Sequence, residues 1–232
     1  MQIEFHTLYW DNTPEEVIEA AKSVFSHFGL PRTVYRENVP HGVWMDRVMD
    51  SIYNTDRKND LIVFFDGDCV PTDKNRLFEW LRYAIQNDTF VGVAQASNHI
   101  PPMSHVYAAP AFFAITPACY SRLGHPSFTE TSRSDVGEEL CYRAEELGKR
   151  YRCIYPTSFE KESTEGVWRL GNYGYYGIGT VFDNCLYHLY QGRFAQNQDL
   201  FVQRCEEIID GTFDSSSFYS ATNLNYEGNI VK

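Results

Sequence analysis

Asp66, Gly67 and Asp68 follow directly on the apolar run Leu61-Ile62-Val63-Phe64-Phe65. Such a run suits a strand buried on both faces of a parallel sheet. Carboxylates at the end of that strand stand at the edge where open α/β sheets bind ligands. A pair of them suits a hard divalent cation that also takes phosphate oxygens, and Gly67 lets the chain turn closely around such an ion. The plain alternative is a strand-end turn, in which Asp and Gly are ordinary residues. A second group runs from Ser134 to Gly148, with Asp135, Glu138 and Glu139 at its start and Leu140, Arg143 and Leu147 behind. Either Ser134 or Asp135 caps a helix with Glu138 as its capping-box partner, or one of the acids serves as a general base. The third candidate is His188, either a packed core residue or a ligand for a borderline divalent ion. Tyr187, Tyr190 and Gly192 around it suggest a strand-to-turn segment returning to a cleft.

The elements that would carry these residues alternate. Ile3 to Tyr9 reads as a strand. Thr13-Pro14-Glu15-Glu16 starts a helix, with a capping hydroxyl, Pro at the first helical position and acids at the positive helix end. Val17, Ile18, Ala21, Val24, Phe25 and Phe28 keep helical period until Gly29. Strand Thr33–Asn38, helix His41–Tyr53, strand Leu61–Phe65, helix Thr72–Asn87 and strand Phe90–Gln95 follow. This order predicts an α/β fold, a three-layer α/β/α sandwich with a mostly parallel central sheet. Beyond it, 98–110 reads as a loop, 111–116 as a short strand and 117–123 as a short helix. Ser134–Gly148 contains a helix, Arg152–Tyr155 is a strand, and Asp199–Asp210 is an amphipathic helix. The stretch 165–180, rich in Gly and holding Trp168, Tyr173, Tyr175 and Tyr176, reads as a mobile loop able to close over a ligand. One domain is expected over 1–210, with halves 1–97 and 98–210, and a peripheral tail over 211–232.

Composition narrows the partners. A net charge of -11 argues against nucleic acid and anionic membrane, which need a basic face. Sixteen Tyr are more than a core takes comfortably, because each hydroxyl needs a partner; some are expected to line a wet cleft. The six Cys show no CxxC pair, so free thiols in a reducing, cytoplasmic setting are expected. Met1 to Trp10 has no signal-peptide pattern, and no stretch approaches the ~20 apolar residues of a membrane span.

Taken in order, a DxD after the third strand, an acidic helix start and an aromatic-flanked His resemble the family 2-like glycosyltransferases of GT-A fold over roughly residues 3 to 195. The resemblance implies a hexosyltransferase-like enzyme that moves a sugar from a nucleotide-diphosphate donor to a carbohydrate or other hydroxyl acceptor, with inversion. It implies Mn²⁺ or Mg²⁺ on Asp68, with Asp66 on ribose or the metal and His188 completing the site. Thr7 and Tyr9 would flank the nucleotide, Glu37 and Asn38 would read base or ribose, and Arg47 would contact phosphate. The family's Glu-Asp pair falls here on Val136-Gly137, so Asp135 is the first choice for the base, with Glu138 and Glu139 as alternates. Two other classes share parts of the pattern: a haloacid-dehalogenase-like phosphohydrolase with Asp66 as nucleophile, and a non-catalytic carbohydrate-binding relative.

Overall fold

Leu61 to Phe65 have no exposed surface. They anchor the computed structural model, which describes residues 2–53, 61–97, 100, 104–160, 166–192 and 194–223. The chain runs β1 (Ile3–Tyr9), α1 (Glu15–His27), β2 (Arg32–Arg36), α2 (His41–Tyr53), β3 (Leu61–Asp66), β4 (Cys69–Pro71), α3 (Lys74–Gln86), β5 (Val91–Ala96) and β6 (Val106–Ile115). It continues through α4 (Pro117–Arg122), α5 (Glu138–Glu146), β7 (Arg152–Ile154), β8 (Pro156–Phe159), β9 (Val167–Leu170) and β10 (Gly174–Gly177). The last elements are β11 (Gly179–Phe182), β12 (Leu186–Leu189), α6 (Ala195–Asp210) and β13 (Tyr219–Ser220).

Among the described residues, the main sheet has the order β2-β1-β3-β6-β5-β7. The pairs β1–β2, β1–β3 and β5–β7 are parallel. β6 is antiparallel to both β3 and β5, so it alone runs against the rest of this sheet. The expected alternation of strands and helices in the first hundred residues is present. The neighbour of β3, however, is β6 and not the next parallel strand. Phe25 meets Phe65 edge-on with centroids 4.9 Å apart, and Trp44 meets Phe64 at 5.4 Å. Each aromatic ring buried in this way contributes about 1.5–3 kcal/mol.

The second half departs from expectation in two places. The segment 98–110 was expected to be a loop, but Val106–Pro110 belong to the long strand β6; 98–99 and 101–103 lie outside the described residues. The stretch 165–180 is not a mobile loop in its described part. β9 and β10 pair antiparallel there, and Tyr175 and Tyr176 are buried. Gly174, at φ +156°, is a close-approach residue: a Cβ there would lie 1.9 Å from the Ala221 carbonyl oxygen. A local Gly count cannot distinguish a hinge from a backbone packed against another strand.

A smaller sheet, β13-β8-β11-β12-β4, joins the late strands to the short β4 that follows the Asp66-Gly67-Asp68 turn. Phe213 and Phe218 pack against the core and Ala221 is buried, so the described part of 211–232 contributes to this layer. No helix among the described residues is long and apolar enough to cross a membrane.

Candidate active site

The turn Gly67-Asp68 carries the chain from β3 of the main sheet into β4 of the smaller one. β12 pairs antiparallel with β4 in the register His188↔Cys69, which sets His188 beside the turn. The backbone locks this arrangement: Leu189 N donates to Asp68 O at 3.0 Å. His188 Nε2 lies 3.2 Å from Asp68 Oδ1 and 3.8 Å from Asp66 Oδ2. One ligand atom from each of Asp66, Asp68 and His188 falls within 4.8 Å of the others.

These spacings fit a divalent cation. Neighbouring ligands on an octahedral ion with bonds of about 2.1 Å stand roughly 3 Å apart, close to the distances from Nε2 to the carboxylates. The other imidazole nitrogen, Nδ1, is buried and has no hydrogen-bond partner among the described residues. The imidazole directs Nε2, and not its buried Nδ1, at the two carboxylates.

Gly67 is required, for a reason that its position in the sequence did not reveal. A Cβ there would stand 2.6 Å from Tyr9 Cε1, so the Tyr9 ring lies against the turn. Burial pushes the Tyr9 hydroxyl's pKa up, and the Arg32 guanidinium partly offsets this.

A cavity of about 330 Å³ opens over the carboxylates, lined among others by Tyr9, Asn12, Asp66, Asp68, Gln95, Tyr107, Asp135, His188, Tyr190 and Gln191. Burial holds the Tyr107 and Tyr190 hydroxyls well above their usual pKa, so both stay protonated. A second cavity of about 920 Å³ adjoins it, sharing Trp10, Asn12, His41 and Val136, and is otherwise lined by residues such as Asn38, Val39, Val43 and Thr129.

The acidic helix start sorts its carboxylates. Glu138 N donates to Asp135 O at 3.0 Å across Val136-Gly137. Gly137 sits at φ 78°, ψ -12°, the left-handed third position of a type II turn. α5 therefore begins only at Glu138, and Asp135 is left on the turn, lining the cavity that holds Asp66, Asp68 and His188. Glu138 is fully buried. Its Oε1 accepts from Ser97 Oγ (3.1 Å) and contacts His105 Nδ1 (2.6 Å), and its Oε2 accepts from Asp135 N (2.8 Å). Burial raises the Glu138 pKa, but the bonds from His105, Asp135 N and Ser97 outweigh it, and the net shift is downward. Glu138 thus reaches back to the turn as a capping-box acid does, without Ser134 as the cap; Ser134 bonds to Thr131 instead. Glu139 is engaged by Arg133. Neither Glu138 nor Glu139 lines the two cavities.

Other expected site residues also bond within the scaffold. Thr7 is fully buried and accepts from Arg32 Nη1 at 3.2 Å. Glu37 and Arg47 pair with each other at 2.8 Å. Both lie off the two cavities, whereas Tyr9 and Asn38 line them. Trp168 stacks on Tyr176 at 5.6 Å, behind Tyr190. His41, Gln95, Tyr107 and Gln191 line the cavity as well, without standing among the expected site residues. Only the proximity of Tyr190 and Gly192 to His188 pointed toward the last of these.

No family model and no curated protein matches the chain. Among solved structures, a Drosophila β-1,4-galactosyltransferase 7 variant in complex with manganese, UDP-Gal and xylobiose is 10% identical, covering 87% of this chain and 79% of its own, with a TM-score of 0.48. A glycosyltransferase involved in glycosylation of the major capsid of PBCV-1 is 11% identical over 67% of this chain and 81% of its own, at a TM-score of 0.38. A protein from STIV is 10% identical, covering 50% of this chain and 65% of its own, at 0.36.

Proposed function

We propose that this chain is a GT-A-like glycosyltransferase that moves a sugar from a nucleoside-diphosphate donor to an acceptor hydroxyl. The observation that carries this reading is the meeting of Asp66, Asp68, His188 and Asp135 on one cavity, from three separate parts of the chain. Asp66, Asp68 and His188 would hold Mn²⁺ or Mg²⁺. When bound, the ion supplies charge neutralisation for the departing diphosphate.

The other roles belong to the chain itself. Asp135 takes the proton from the acceptor hydroxyl as its oxygen bonds to the anomeric carbon. The bond from that carbon to the diphosphate oxygen breaks, which gives inversion. Tyr107 and Tyr190 offer polar groups to the acceptor on the 98–210 side, beside Gln95 at the end of the 1–97 half. The larger cavity, with Trp10 and Asn38, takes the nucleoside on the 1–97 side.

The test is thermal unfolding with nucleoside diphosphates and nucleotide-sugars, with and without Mn²⁺. A ligand at 100 times its Kd adds about 2.7 kcal/mol of stability. Mn²⁺-dependent stabilisation by one nucleotide, absent in Asp68→Ala, is expected. If no nucleotide stabilises the protein in Mn²⁺, or Asp68→Ala responds as the parent does, the proposal fails.

A further inference from the structure

Each carboxylate of the Asp66/Asp68 pair has one oxygen turned toward His188 and the other held from outside. For Asp68, Oδ1 faces His188 Nε2 at 3.2 Å, while Oδ2 accepts a 2.9 Å hydrogen bond from Gly192 N. For Asp66, Oδ2 faces His188 Nε2 at 3.8 Å, while Oδ1 contacts His41 Nδ1 at 3.3 Å. His41 and Gly192 lie far apart in sequence, at the start of α2 and in the turn after β12, yet each meets the carboxylate oxygen that is not the one nearest His188, Gly192 through a hydrogen bond and His41 through an ion-pair contact. His41 is outside the group of atoms that converge within 4.8 Å, so it is placed to orient a ligand and not to be one.

From this geometry we infer that His41 and Gly192 are positioning residues for the cation site, the inference resting on the metal-dependent reading above. Groups that hold a metal's ligands from outside fix which oxygen faces the ion, and losing one typically weakens metal binding about 10–100-fold. His41 is itself held: its ring stacks on Trp44 with centroids 5.3 Å apart and planes inclined by 19°. Trp44 is 1% exposed. Gly192 has no room for any side chain. A Cβ there would lie 2.7 Å from both Cβ and Oδ2 of Asp68, and the chain can donate its N–H so closely only because this residue is Gly. The backbone amide thus holds Asp68 Oδ2 by a hydrogen bond, and the imidazole stands against Asp66 Oδ1 within ion-pair distance.

The test measures Mn²⁺ binding directly, by calorimetry and by the free-Mn²⁺ electron paramagnetic resonance signal, without substrate. His41→Leu fills the space against Trp44 but has no donor; His41→Asn places an amide N–H near the position of Nδ1. His41→Leu and Gly192→Ala are expected to weaken Mn²⁺ binding about 10–100-fold, with unchanged melting temperature in chelator for His41→Leu. His41→Asn is expected to recover most of the affinity. Parental affinity in both His41→Leu and Gly192→Ala overturns the inference while leaving the metal site intact. Equal loss in His41→Asn and His41→Leu overturns the role given to Nδ1. A parent protein that binds no Mn²⁺ overturns the metal reading and this inference with it.

Discussion

Replacing Glu138 is expected to damage the fold more than the chemistry, although its place in an acidic motif suggests a base. Its fully buried carboxylate serves Ser97, His105 and the Asp135 amide together. Glu138→Ala strands all three, one of them the partner in a charge pair. Breaking such a buried pair costs about 3–5 kcal/mol. Glu138→Gln keeps the shape: its carbonyl can accept from Asp135 N while its amide donates to Ser97 Oγ and to a neutral His105. It should therefore cost no more than about 1–2 kcal/mol, the value of one charge-assisted bond above a neutral one.

The pair also sets a pH signature. Burial lowers the His105 pKa, but the bonds to Glu138 and Glu145 outweigh it and the net shift is upward from 6.5. A group whose folded pKa is raised stabilises the fold below its unfolded value and loses that contribution as pH rises through the folded one. Urea unfolding followed by Trp fluorescence at pH 6 and pH 9 should show the parent losing stability over this window and Glu138→Gln losing less. Glu138→Ala within about 1 kcal/mol of the parent at pH 6 would refute the network as a stabilising element. An unchanged pH slope in Glu138→Gln would refute the charge pair.

Asp135→Asn should keep the 2.8 Å bond from Val136 N and hence the turn; turnover should fall by about 10²–10⁴-fold with nucleotide affinity unchanged, and equal turnover in steady-state assays would remove Asp135 as the base. His6 is buried in β1, and burial pushes its pKa down to about 4 from 6.5. It should therefore cost stability as pH falls from 6.5 toward 4, by up to about 3 kcal/mol. His6→Gln should flatten that acid limb in urea titrations, and a limb identical to the parent's would place the loss elsewhere.

Local chemistry in the sequence was enough for β3 and its carboxylates. A five-residue apolar run has few places to go except a strand covered on both faces, and Asp66 and Asp68 then stand at its end by connectivity alone. The alternation of β1, α1, β2, α2 and β3 was legible for the same reason, since period and end signals are properties of neighbouring residues. In the C-terminal half α4, α5, β7 and α6 were legible as well, but the later strands were not. β8 to β13 are strands of four residues or fewer, too short to show a period, and what makes them strands is their partners, in the smaller sheet or, for β9 and β10, in a two-stranded ribbon of their own. Tertiary structure also decided how the acids divide. Asp135, Glu138 and Glu139 differ little in sequence, yet one left-handed Gly137 turns Asp135 to the cavity and Glu138 into the core. His188 and Asp68 meet because β12 and β4 pair, 120 positions apart. His41 and Gly192 acquire their places only there, since a single imidazole or amide carries no signal until the fold sets it against a carboxylate.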